Sequence, residues 1–180
     1  NKRPARMRTG YLQTLALVVA WCTVAPGFGD ATPPDLSAQR KTFLSAQAAV
    51  IAGKSTNFKA LLPKLETYPL YGYLLFEDLS RRLPGAKEAE VLAFLVRTAD
   101  SPISARLRSL WLTHLAAQQR WKNFLAAYEP QEDDELRCNF LRARLANGKI
   151  KDLMDDVKRM WLVAHEQPTL CDPVFDAWRR

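Results

Sequence analysis

The chain has 180 residues, 48% of them hydrophobic and 25% charged, with a net charge of +7. That composition describes a globular domain of ordinary size and excludes the disordered, collagenous and coiled-coil classes. Proline (11) outnumbers glycine (7), which argues against a fold built on many glycine-rich β-turns.

Residues 1–31 have the layout of a secretory signal peptide. Lys2, Arg3, Arg6 and Arg8 form a positive start, Tyr11 to Val24 an apolar stretch, and Ala25, Gly27, Gly29 and Ala31 a run of small residues. Pro26 disfavours a cut after Ala25, so cleavage is expected after Gly29 or Ala31. The apolar stretch is shorter than the roughly 20 residues that span a bilayer, so no stable membrane insertion is expected once it is removed. A lipoprotein box needs a small residue before its cysteine, and Trp21 stands before Cys22. Asn1 is not a methionine, and the last residues stop inside an amphipathic run, so the sequence is expected to be a piece of a longer reading frame. Four basic residues and Asp30 lie in this first segment, and removing it takes three from the +7, leaving about +4. The basic balance of the whole chain would otherwise suggest nucleic acid. For an exported protein it suits a polyanion such as a cell-wall polymer or an anionic membrane face, and no nucleic-acid partner is expected.

From residue 36 onward the apolar spacing is helical. Asp35 or Ser37 is predicted to cap a helix to Ile51, with Phe43, Leu44, Ala48 and Ile51 inward and Gly53 as its stop. Asn57 is predicted to cap a short helix presenting Phe58, Leu61, Leu62 and Leu65, shortened or kinked by Pro63. Pro69 is placed in the first turn of a third helix carrying Leu70, Tyr73, Leu74 and Leu79, broken at Pro84-Gly85. Residues 86–99 form an amphipathic helix with Ala89, Leu92, Ala93, Leu95 and Val96 inward. Ser101 and Pro102 stop the chain and restart it, as cap and first helical residue of a helix to about 118 with Leu107, Leu110, Trp111 and Leu115. A helix over 120–128 carries Trp121, Phe124 and Leu125 and stops at Pro130. Glu132 to Glu135 open the next, where acidic side chains suit the helix dipole. Its core face is Cys138, Phe140, Leu141 and Leu145, and Asn147-Gly148 close it in the left-handed conformation. A helix over 149–164 presents Ile150, Leu153, Val157, Met160, Trp161 and Val163. After Gln167-Pro168, Cys171 begins a last run through Val174, Phe175 and Trp178.

Eight or nine short helices with short loops, and no segment of strand period, predict an all-α fold. Helices this short cannot bury their faces alone and must stack. No fixed repeat length recurs, so the expected architecture is an irregular α-superhelix of stacked antiparallel helix pairs, occupying residues 32–180.

No pattern of catalytic residues emerges. Glu132 to Glu135 and Asp155-Asp156 are paired carboxylates, a type used in glycoside hydrolysis, but they fall at helix ends and on polar faces. His114 has no nucleophile or acid at a diagnostic spacing. There is no phosphate loop or dinucleotide glycine motif, and no cofactor is expected. Trp111, Trp121, Trp161 and Trp178 fall at core spacing, and packing explains them better than a sugar-stacking platform. Tyr68, Tyr71 and Tyr73 suit a groove or a core alike.

With Cys22 removed, Cys138 and Cys171 remain, and in an oxidising compartment they are expected to pair. A closed loop of about 34 residues stabilises by roughly 3.8 kcal/mol in the chain-entropy model. Two buried free thiols are the alternative. No metal site is expected, since no CxxC or CxxH spacing occurs and His114 and His165 are isolated.

Three stretches, in this order, resemble one known family. The first is Tyr68-Pro69-Leu70-Tyr71-Gly72-Tyr73-Leu74. The second is Arg120-Trp121-Lys122-Asn123-Phe124-Leu125 followed by Arg137-Cys138-Asn139-Phe140. The third is Trp161-Leu162, Gln167-Pro168, Cys171-Asp172, Phe175 and Ala177-Trp178-Arg179. Over about residues 37–180 the chain resembles the N-terminal helical domain of the soluble lytic transglycosylases, departing from the pattern over residues 83–106. The resemblance implies a ring-like superhelix in the periplasm of a Gram-negative cell. It also implies a lysozyme-like domain further along that cleaves between N-acetylmuramic acid and N-acetylglucosamine in peptidoglycan, leaving a 1,6-anhydro sugar. The family's acid–base glutamate stands in a Glu-Ser motif. No Glu-Ser pair occurs here, so no catalytic residue is assigned to this chain. What carries over is the helical scaffold and the disulfide, onto Cys138 and Cys171. The partners implied are glycan strands, reached through the parent enzyme, and other cell-wall enzymes. A stand-alone periplasmic module that recruits cell-wall enzymes is the competing reading.

Overall fold

The computed structural model describes residues 36–149 and 152–180. The predicted signal segment, the cap at Asp35 and the core position Ile150 lie outside them. The described residues hold nine α-helices and no strand. They are α1 (Leu36–Ile51), α2 (Ser55–Leu61), α3 (Tyr71–Arg81), α4 (Glu88–Arg97), α5 (Pro102–Ala117), α6 (Trp121–Ala127), α7 (Asp134–Ala146), α8 (Leu153–Trp161) and α9 (Asp172–Arg179). Short 3-10 turns lie at Leu62–Leu65, Leu83–Gly85 and Thr169–Cys171. None of these helices is long and apolar enough to cross a membrane.

One local device reverses the chain three times. At the end of α1 the Gly53 amide donates to Val50 O at 3.0 Å and the Lys54 amide to Ala49 O at 2.8 Å. At the end of α5 the Gln119 amide donates to Ala116 O and the Arg120 amide to Leu115 O, both at 2.9 Å. At the end of α7 the Gly148 amide donates to Leu145 O at 3.1 Å and the Lys149 amide to Arg144 O at 2.9 Å. This is the paired-bond helix stop that needs a left-handed residue just beyond the helix. Gly53 (φ 67°), Gln119 (φ 52°) and Gly148 (φ 65°) supply it. The two glycines adopt it freely, whereas Gln119 does so against its Cβ. Because the first stop leads straight back into helix, α2 begins at Ser55 with Lys54 before it, not at an Asn57 cap. Ser37 lies one residue inside α1.

The core is three buried clusters in chain order, each joined to the next by a shared helix. Ala46, Ala49, Val50, Phe58, Leu65 and Leu74 tie α1, α2 and α3 together. A middle cluster, centred on Leu107, Trp111, Leu112, Leu115 and Phe124, runs from Leu79 of α3 to Ala143 of α7. The third holds Cys138, Leu141, Leu153, Val157, Met160, Cys171, Val174 and Phe175. α7 shows how the sequence encodes this stacking. Leu136, Phe140 and Ala143 form one apolar stripe toward the middle cluster, and Cys138, Leu141 and Leu145 form another toward the third. A helix with two apolar stripes has a neighbour on each side, which is the packing of an α-superhelix of stacked helix pairs. The expected all-α superhelical architecture is thus what the described residues adopt.

Several predicted faces are rotated. In α4 the buried residues are Val91, Phe94 and Leu95, while Ala89, Leu92, Ala93 and Val96 face out, Val96 being 80% exposed. Every position from 91 to 96 is apolar, so periodicity does not choose a face. Phe94, tilted against Phe76 at 6.5 Å, decides it by removing the most apolar area from water. In α1, Leu44 (55% exposed) and Ile51 face solvent, and Ala46, Ala49 and Val50 are buried. The alanines let α2 and α3 approach closely. Leu70, Tyr73, Leu110, Trp161 and Val163 are likewise outside the core.

Candidate functional site

An open cleft of about 560 Å³ lies where α6, α7 and α8 meet. That volume is in the range of small-molecule sites. One wall is made by Tyr128 and Phe140, with Phe124 buried beside them. Phe124 stacks on Tyr128 at 5.7 Å, and Tyr128 on Phe140 at 4.0 Å and 9°. Two neighbouring rings therefore engage Tyr128, which brings a phenol hydroxyl to the cleft. Burial raises the pKa of that hydroxyl above its ordinary value. Leu125, Pro130, Leu141 and Met160 complete the apolar lining.

The polar lining is Arg137 of α7 and Arg159 and Asp156 of α8. Arg137 donates one bond to Asp134, at 2.9 Å. Asp156 accepts from both Arg144 and Arg159, so two guanidiniums share one carboxylate. Beside it, His165 Nε2 pairs with Asp134 at 2.8 Å, and that bond holds the carboxyl below its usual range.

The cleft stands on the disulfide. Cys138 of α7 and Cys171, before α9, are bonded with Cα atoms 4.9 Å apart, inside the usual range for a bridge. The Cys171 Sγ lies 3.8 Å from Met160 Sδ, so the bridge backs the α8 wall directly.

Other sequence motifs turn out to be structural. Asp133 caps α7, accepting from the Leu136 amide at 3.0 Å. Glu88, in the first turn of α4, accepts from Arg120 at 3.1 Å and from Asn123 at 2.5 Å, which ties α6 to α4. His114 stacks on the buried Trp111 at 5.4 Å. Trp161 leaves the predicted core and stands 43% exposed, edge-on to Phe175 at 4.8 Å and under Arg179. The Tyr68–Leu74 run is a turn and a helix start: the Tyr71 amide donates to Tyr68 O at 2.9 Å, placing Pro69 second in the turn. That is why α3 begins at Tyr71, two residues after Pro69, and not with Pro69 in its first turn. Tyr68 packs on Phe43 at 5.2 Å, and Tyr73 faces solvent. Tyr71 and Arg97 line both of two neighbouring clefts, of about 290 and 580 Å³. In the first of these, Arg82 bonds Asp78 at 2.8 Å and also Glu90, whose pKa that bond lowers. No group of three or more metal-ligating side chains occurs among the described residues.

Stacked helix pairs, three linked cores and one bridge between α7 and the start of α9 define a superhelical domain rather than a closed bundle. No protein-family model matches the chain. Its sequence is 27% identical over 146 residues to the soluble lytic murein transglycosylases of Escherichia coli K12 and of Salmonella typhimurium, covering 80% of the chain and 22% of each relative. The chain thus spans about a fifth of the curated relatives it matches. The crystal structure of the 70 kDa soluble lytic transglycosylase from Escherichia coli superposes with a TM-score of 0.71 at 27% identity, over 80% of this chain and 24% of that one. An inactive mutant of lytic transglycosylase Slt from Pseudomonas aeruginosa superposes with a TM-score of 0.69 at 34% identity, over 78% and 23%. In sequence and in fold the described residues are thus similar to a part of the soluble lytic murein transglycosylases.

Proposed function

We infer that residues 32–180 are the N-terminal part of the superhelical scaffold of a periplasmic peptidoglycan lytic transglycosylase, with residues 1–31 as its export signal. The observation that carries this reading is the agreement of sequence and fold along one continuous stretch, 27% identity over 146 residues with a TM-score of 0.71. The scaffold positions glycan strands, and neighbouring cell-wall enzymes, for a lysozyme-like domain encoded further along. That domain breaks the bond between N-acetylmuramic acid and N-acetylglucosamine and closes a 1,6-anhydro ring. The Cys138–Cys171 bridge keeps the α7–α9 end of the scaffold rigid in the oxidising periplasm.

The test is to express the complete reading frame and incubate its product with purified peptidoglycan. Release of 1,6-anhydro-muropeptides by that product, and none by residues 1–180 alone, supports the reading. A complete product that binds sacculi without releasing anhydro sugars replaces it with the recruiting module.

A further inference from the structure

The cleft between α6, α7 and α8 has a chemistry that the scaffold role does not use. Its walls are apolar, and its rim carries two guanidiniums from separate helices, Arg137 and Arg159, each held by one carboxylate, Asp134 and Asp156. Asp156 is already shared between Arg144 and Arg159. Each guanidinium has five N–H donors in a planar fork. The bond from Arg137 to Asp134 and the bond from Arg159 to Asp156 leave donors on both for a ligand. A neutral sugar would leave the remaining guanidinium donors without a charged partner, and the lining rings are already engaged, Tyr128 by Phe124 and Phe140, and Phe140 by Arg144. A bare inorganic anion would gain nothing from Leu125, Pro130, Leu141 and Met160.

We propose that this cleft binds a short peptide bearing carboxylates and small apolar side chains, with a carboxylate received by Arg137 and Arg159 and the side chains laid against Leu125, Leu141 and Met160. Resting on the reading given above, that peptide is the stem peptide of peptidoglycan, so the scaffold would sense the peptide and not only the glycan. Bidentate guanidinium–carboxylate recognition supplies the specificity. The disulfide behind Met160 keeps the apolar wall in place.

The test is calorimetric titration of the full 180-residue chain with free stem tetrapeptide, with the same tetrapeptide amidated at its carboxylates, and with chitotetraose. The proposal expects saturable binding of the free tetrapeptide, loss of binding on amidation, and none with chitotetraose. Arg137→Gln with Arg159→Gln should weaken the tetrapeptide by about tenfold or more, with helical circular dichroism unchanged. Met160→Gln, which keeps the charges and spoils the apolar wall, should also weaken it. Equal affinity for the amidated peptide or for chitotetraose, or affinity that survives both sets of substitutions, overturns the proposal. So does absence of tetrapeptide binding, and release of anhydro-muropeptides by the complete product would then leave the scaffold reading standing.

Discussion

Cys171 Sγ lies 3.8 Å from Met160 Sδ, and Cys171 is bonded to Cys138, so the bridge and the α8 wall of the cleft form one buried cluster. Breaking the bridge therefore acts on both the unfolded chain and the site.

Replacing Cys138 and Cys171 together by serine should lower unfolding stability by roughly 3.8 kcal/mol, within the usual span of about 2–5 kcal/mol for a lost bridge. Urea unfolding of the wild type with and without reductant should show the same loss. Equal midpoints in the two conditions would rule the bridge out as a contributor.

Two valines of α4 separate the packed face from the open one. Val91 is fully buried and Val96 is 80% exposed. Val91→Ala should cost about 2 kcal/mol through lost burial and the cavity left behind. Val96→Ala should stay within about 0.5 kcal/mol, since alanine favours helix. Comparable losses at both sites would show that the outer face of α4 is covered.

The three helix stops make opposite predictions at matched positions. Gln119→Gly relieves a left-handed backbone and should stabilise by up to about 1 kcal/mol. Gly148→Ala, at φ 65° with open space around it, should destabilise by about 1 kcal/mol through the backbone alone. Thermal melts of the two variants should move in opposite directions, and movement in the same direction refutes the account of these turns.

The fold and the stops were readable in the sequence to different degrees. Gly53 and Gly148 announce their stops because glycine is the residue such turns favour, whereas Gln119 carries no such mark and only the bonds to Leu115 and Ala116 show it. Pro102 marks the start of α5 through its fixed φ, while Ser101 before it makes no side-chain cap bond, contrary to the expected cap. Faces were harder. α1 and α4 carry more apolar residues than one side can bury, so which stripe packs depends on neighbours distant in sequence, such as Phe76 against Phe94. The cleft was not legible at all. Its lining comes from three helices, and nothing in the order of Tyr128, Arg137 and Arg159 shows that they meet.

The pair between His165 and Asp134 predicts a pH dependence. The His165 hydrogen bond is the leading reason that Asp134 ionises below its ordinary 3.8, and Arg137 adds to it. A carboxyl with a lowered folded pKa contributes stability that is complete above the unfolded value and lost as pH falls through the folded one. The wild type should therefore exceed His165→Ala in stability at about pH 5, and the gap should close below about pH 4. A gap that widens in acid would contradict the assigned roles.

The central claim is that this chain is the scaffold part of a larger peptidoglycan-cleaving protein. The intact mass and peptide map of the native protein from its source cells test it most directly. The account predicts a mature product that starts near residue 30 or 32, runs several times longer than the present chain, and ends in a lysozyme-like domain with a Glu-Ser pair. A mature product that stops near Arg180 would contradict it and leave a helical binding module in its place.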